Sequence, residues 1–175
     1  MDSETLRDLF IEGLQALHSA DTQCIASATD VVAGVADPGL RDAIQAGIRM
    51  ALRQVVQLDR VFRHAGLSPH GDGARNGVIE AIEMATERAR RTTAGPVARD
   101  VGVIATSRLA FHYYVASYGT LRDYAQALGL AEAAALLQDM LDELEQTDRQ
   151  FSRISRRIVG SCHTSRDVGV EYAVS

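Results

Sequence analysis

Lysine is missing from this chain: all 18 basic residues among its 175 are arginine. That excludes a Schiff-base lysine and the phosphate-gripping lysine of a P-loop. Tryptophan is missing too, and aromatics make up only 5% of the residues. With three prolines and no segment that alternates apolar with polar, nothing competes with helices. The two cysteines, Cys24 and Cys162, stand far apart without CxxC spacing. This pattern points to a reduced, cytoplasmic protein rather than a disulfide framework. No apolar run approaches the roughly 20 residues that span a bilayer. Residues 1–20 carry Asp2, Glu4, Arg7, Asp8 and Glu12, unlike a signal peptide or an anchor. A basic excess is also lacking. The net charge of −5 argues against nucleic acid as a partner, because phosphate binding needs a basic surface.

What the chain does have is a hydrophobic fraction of 46%, enough for one domain with a real core. The 3.6-residue period predicts a first long helix from Ser3, a good N-cap, to about Val35. Its apolar stripe is Leu6, Phe10, Leu14, Leu17, Cys24, Ala28 and Val31, and Asp21 falls within it. The sequence GVADPG breaks the pattern, and Asp37 and Pro38 restart it. A second long helix follows from about Gly39 to His64, through Ile44, Ile48, Ala51, Val55 and Leu58. Residues 65–77 look least ordered, and VIEAIEMATERARR then forms a shorter helix. A third long helix runs from Pro96 to about Leu128, capped by Gly129. The fourth runs from Leu130 or Ala131 to about Val159, with Leu137, Met140, Leu144, Phe151, Ile154 and Ile158 inward and Asp148 on the same stripe. The pattern predicts an all-α, up-down four-helix bundle over residues 1–160. An additional shorter helix and a longer crossover separate the second and third long helices, and residues 161–175 form a tail.

Bundles of this kind build metal sites from inward carboxylates and histidines. Two hard cations need about four carboxylates, and the supply here is short. The second long helix holds no glutamate, and neither does the third between Pro96 and Leu128. Glu143 and Glu145 flank the apolar Leu144 and should face solvent. Asp21 and Asp148 are the inward acids, which leaves room for at most one divalent ion with His112.

LRDLFIEGLQALHSADTQ, FHYYVASYGTL and GLAEAAALLQDMLDELEQTD resemble, in order and spacing, three motifs of the YciF-type ferritin-like proteins, a bacterial family linked to stress responses. The resemblance covers roughly residues 6–158. It implies a ferritin-like bundle, often dimeric, with presumed metal-ligating glutamates. Those positions fall here on Asp21, Met50, Phe111, Tyr114 and Leu144, while Gln54, His112, Tyr118 and Asp148 follow the family pattern. Apolar volume where carboxylates are expected implies that the di-iron chemistry has gone, since unpaired buried carboxylates are costly.

Several residues carry two readings. Asp21 and Asp148 are either an acid–base pair or carboxylates held by an arginine, a hydroxyl or the backbone. His112 is a base or a hydrogen-bonded structural residue. Tyr114 either donates to a substrate oxygen or fills volume, and Tyr118 packs with a satisfied hydroxyl. Cys24 is expected to line the same cavity with an inert thiol. Cys162 and His163 give only a weak metal or redox hint. The arginines at 88, 90, 91, 153, 156 and 157 read as solvated faces.

The first functional expectation is a metal-free, cofactor-free, homodimeric bundle acting as a stress-associated structural or small-ligand-binding protein. A small apolar molecule would sit among Asp21, Cys24, Met50, Gln54, Phe111, Tyr114, Tyr118, Leu144 and Asp148. The alternative is an enzyme with metal-independent acid–base chemistry carried by Asp21, His112, Tyr114 and Asp148. A weaker one is a mononuclear oxygenase using Asp21, His112 and Asp148.

Overall fold

The structure, a computed structural model, describes residues 2–68 and 75–164, with the side chains of 162–164 outside that description. Five helices account for it: α1 (Ser3–Val32), α2 (Pro38–His64), α3 (Gly77–Arg90), α4 (Pro96–Ala127) and α5 (Ala131–Thr164). No helix among the described residues is long and apolar enough to cross a membrane.

The helix ends follow their capping chemistry. Asp2, not Ser3, caps α1: its carboxylate accepts from the Thr5 amide at 2.8 Å. The first helix stops at Val32 rather than near Val35. Just beyond it, the buried Asp100 accepts from the amides of Ala36 and Asp37 at 3.1 and 2.7 Å and draws the chain into a corner. Asp37 then caps α2 through the Leu40 amide at 2.8 Å, with Pro38 in the first turn. Arg157, on the exposed face expected of it, also grips Asp37 with two bonds of 2.9 and 2.7 Å and so fastens the end of α5 to the start of α2. Gly129 takes a φ of +73° beyond α4. The Leu130 amide then reaches the Ala125 carbonyl at 2.8 Å, a turn that suits a residue without Cβ. α5 continues to Thr164, past its expected end, and the Cys162–His163 pair lies outside the described side chains.

α1 lies along α2 and α4 along α5, and the α2–α5 and α1–α4 contacts close the bundle. Asp100, near the start of α4, sits against residues 36–37, so α2 and α4 begin at the same end. A crossover carrying α3 up the outside of the α1–α4 seam makes this possible. Asn76, at the foot of α3, holds the Ala16 carbonyl at 3.1 Å and the Tyr113 hydroxyl at 2.7 Å. Arg90, at its top, holds the Asp30 carbonyl at 3.3 Å. Gly102 lets α3 and α4 touch: a Cβ there would lie 2.7 Å from that of Ala89. The molecule is thus the expected all-α, ferritin-like four-helix bundle with a shorter helix in its crossover.

The core has two apolar clusters stacked along the bundle. The larger one holds Phe10, Leu14, Leu17, Leu58, Phe62 and Leu137. The smaller one, nearer the start of α4, holds Val31, Leu40, Ile44, Val103, Ile104 and Phe151. Phe111 packs against both.

Candidate functional site

Where the two clusters meet, the packing is incomplete. A cavity of about 90 Å³ is lined by Asp21, Cys24, Met50, Gln54, Phe111, Tyr114 and Leu144, all expected from the sequence to surround one site. Ile44, Gly47, Ile48, Ala51, Ala110 and Phe151 add apolar walls. Sequence reading did not assign these residues to the site, although four of the six lay on the predicted apolar stripes.

Asp21 is 2% exposed and its carboxylate accepts from the Tyr118 hydroxyl at 3.0 Å. Burial pushes its pKa up to about 7, against the smaller opposing pull of the Tyr118 and Tyr114 hydroxyls. The Asp21 carboxyl is therefore poised near neutrality. Tyr118 is fully buried beneath it rather than on the cavity wall, and it has the satisfied hydroxyl expected of it. Burial, reinforced by Asp21, holds the ionisation of both tyrosines well above the usual range, so both stay neutral donors.

Tyr114 differs from Tyr118 in one respect. Its ring is buried, stacked 6.1 Å from Tyr118 and edge-on to Tyr113 at 5.4 Å, yet its hydroxyl has no hydrogen-bond partner of good geometry. The hydroxyl lies close enough to Asp21 and Cys24 for each to influence the others' ionisation. A buried O–H without a partner costs about 1–3 kcal/mol. Burial and the Asp21 charge push the Cys24 thiol up to about 11, so it is the inert thiol expected rather than a nucleophile.

The side chains at the other family positions pack against their neighbours. Gln54 is buried and donates to the Met140 carbonyl on α5 at 3.3 Å. Met50 offers its sulfur to the Thr147 hydroxyl at 3.3 Å. Phe111 meets Phe151 edge-on at 4.9 Å. Leu144 is buried, while Glu143 and Glu145 face solvent as expected.

Two expected members of the site stand elsewhere. Asp148 does not point into the bundle. It lies at the outer seam between α4 and α5, where Arg108 grips it at 2.7 and 3.2 Å and holds its carboxyl below the usual range. His112 is largely exposed, 3.9 Å from the same carboxylate. Neither can meet Asp21 or Tyr114 at the cavity. The second inward acid is instead Asp100, which is spent on the backbone at the α1–α2 corner. Of the arginines read as solvated, Arg90 and Arg91 both pair with Glu87. Among the described residues, no three His, Cys, Asp or Glu side chains are grouped so as to hold a metal ion.

Comparison with known proteins agrees with this architecture. Residues 5–162 match the family described as a domain of unknown function, DUF892. Protein YciF of Escherichia coli (strain K12) is 28% identical over 158 residues, covering 89% of this chain and 93% of its own length. The crystal structure of that E. coli stress protein superimposes with a TM-score of 0.84 at 26% identity, covering 89% of this chain and 97% of the other. YcfI of Rhodopseudomonas palustris shares the fold at a TM-score of 0.80 and 24% identity, over 87% and 96% of the two chains. A protein of Xanthomonas campestris pv. campestris shares it at 0.70 and 15% identity, over 93% and 99%. A four-helix bundle with this crossover helix, matched over nearly its whole described length, is a member of the DUF892 family of YciF-like proteins.

Proposed function

We propose that this protein is a stress-associated, metal-independent binding protein, and that it takes an uncharged small molecule at the centre of its bundle. The observation that carries this reading is the Tyr114 hydroxyl, buried on a cavity wall beside Asp21 and Cys24 without a hydrogen bond of good geometry. A ligand oxygen in the cavity would accept that bond and offset the cost of burying it. Asp21, protonated below about pH 7, would present a second polar group to the same oxygen. A carbonyl compound has the acceptor that such a pair recognises.

The donor set speaks against the two-metal centre that the family resemblance implies. One carboxylate lines the cavity, and it cannot balance two divalent cations. Met50, Phe111, Tyr114 and Leu144 occupy the remaining positions with volume instead of charge. The cytoplasmic location rests on cysteine usage and the homodimeric state on the family resemblance.

Calorimetric titration with 2-butanone tests the binding reading. The wild type should bind it, and Tyr114→Phe should weaken binding about fivefold or more, the worth of one hydrogen bond. Equal binding by both proteins, or binding by neither, would overturn the assignment.

A catalytic reading of the same cavity draws on one observation, the carboxyl of Asp21 held near neutrality beside Tyr114. Ionised Asp21 could take a proton from the carbon next to a carbonyl while Tyr114 donates to the oxygen. Deuterium wash-in at that carbon of 2-butanone, lost in Asp21→Asn, would support catalysis. Exchange no faster than in buffer would leave binding alone.

A further inference from the structure

The cavity at Tyr114 is small. An engineered cavity of about 150 Å³ just admits benzene, and this one measures about 90 Å³. Sites for metabolite-sized ligands usually span roughly 300–1,000 Å³, so the inner cavity alone holds only a fragment of such a molecule.

A second hollow adjoins it. Between α1, α3 and α4 lies a vestibule of about 400 Å³ that is open to solvent on its outer side. Cys24, Ala28, Ile44, Ser107 and Ala110 line both spaces, so the partition is one side chain thick. Four of these five are small, although the α1–α4 seam elsewhere carries full-sized residues such as Leu17 and Leu121. Tyr114 stands at this partition, since its hydroxyl neighbours Cys24.

The vestibule has an apolar floor and an acidic rim that includes Asp30. Ile79 and Ile82 of α3 face Val31 of α1 across it. At the rim, Glu87 pairs with Arg90 at 3.1 Å and Glu83 with Arg75 at 2.8 Å. The acidic excess at the rim would repel an anionic head group, and the apolar floor offers no partner to a charge of either sign.

We infer that the inner cavity and the vestibule together hold one elongated, uncharged aliphatic carbonyl compound. Its oxygen lies at Tyr114, a short end fills the space beside Met50 and Phe111, and a longer alkyl arm passes under α1 into the vestibule. This rests on the binding reading above and adds the length, charge and orientation of the ligand. α3 then has a role beyond carrying the crossover: it roofs the alkyl arm.

The test is a homologous series of methyl ketones from 2-butanone to 2-nonanone, titrated calorimetrically against the full chain. Affinity should rise about fourfold per methylene as the arm fills the vestibule. Ser27→Phe and Thr86→Phe each occupy vestibule volume without touching the inner wall. Both positions are partly exposed, and melting curves would check that the variants fold. Each should weaken 2-nonanone tenfold or more and leave 2-butanone within twofold. Affinity that is flat along the series, or 2-nonanone binding unchanged in both variants, would overturn the inference while sparing the inner site. If 2-butanone itself fails to bind in a Tyr114-dependent way, the binding reading falls, and the elongated ligand falls with it.

Discussion

Asp21 on α1 and Asp148 on α5 are the same residue type on two apolar stripes, yet they have opposite chemistry. Asp21 is buried at the cavity beneath α4, accepts its one well-formed bond from Tyr118 and is held up near neutrality. Asp148 lies at an outer seam, accepts two bonds from Arg108 and is held ionised. In one case desolvation outweighs the hydrogen bond; in the other a guanidinium outweighs partial burial. Only the first can serve a site that selects an uncharged ligand, and the second is a clasp between helices.

The comparison has a pH signature, because the two groups respond with opposite sign. A carboxyl raised from 3.8 to about 7 favours the protonated folded state. Its contribution is most favourable below about pH 4 and declines as pH rises toward 7, by about 4 kcal/mol in all. Asp21→Asn should therefore match the wild type near pH 4 and exceed it by a few kcal/mol at pH 8. Urea unfolding at the two pH values measures this difference. A variant less stable than the wild type at pH 8 would show that the Asp21 charge is tolerated.

A smaller effect is expected from Tyr118→Phe, which removes the hydroxyl that Asp21 accepts from. The cost should be about 1 kcal/mol. The Asp21 pKa should rise further, because that bond favours the ionised form. Carbon-detected NMR titration of the carboxyl reads the shift; an unchanged midpoint would place the control of Asp21 elsewhere.

Smallest of all is Asp148→Asn. The pair with Arg108 is partly exposed, with side chains 17% and 38% accessible, so water and salt weaken it. Its loss should cost about 0.5–1 kcal/mol at neutral pH. A lowered carboxyl contributes above its ordinary value near 3.8 and loses that contribution as pH falls. The stability gap between wild type and variant should thus close on acidification, the reverse of Asp21→Asn. A gap that persists at pH 2 would contradict the ion-pair account.

The bundle and most of its centre were legible in the sequence because apolar periodicity reports which face is buried. The stripes placed Phe10, Leu14, Leu144 and Phe151 in the core, and Asp21 among them. Periodicity failed at Asp148 for a geometric reason. Four residues advance a helix by roughly 40° more than one turn, so a residue one turn after a core position sits at the edge of the stripe. Asp21 after Leu17 and Asp148 after Leu144 share that offset. What separates them is the neighbour: a buried tyrosine on α4 in one case, a surface arginine in the other. Neighbours across a seam are not written in one helix. The same limit concealed Asp100, which is buried only because the α1–α2 corner offers it two amides. The vestibule was out of reach as well, since it depends on where α3 comes to rest.

The central claim is that a ligand cavity around Asp21 and Tyr114 stands where a two-metal centre would be. Elemental analysis of the purified full chain, loaded with excess ferrous iron or manganese and then desalted, tests it most directly. The account predicts less than one metal ion per chain. Two tightly held ions per chain would contradict it.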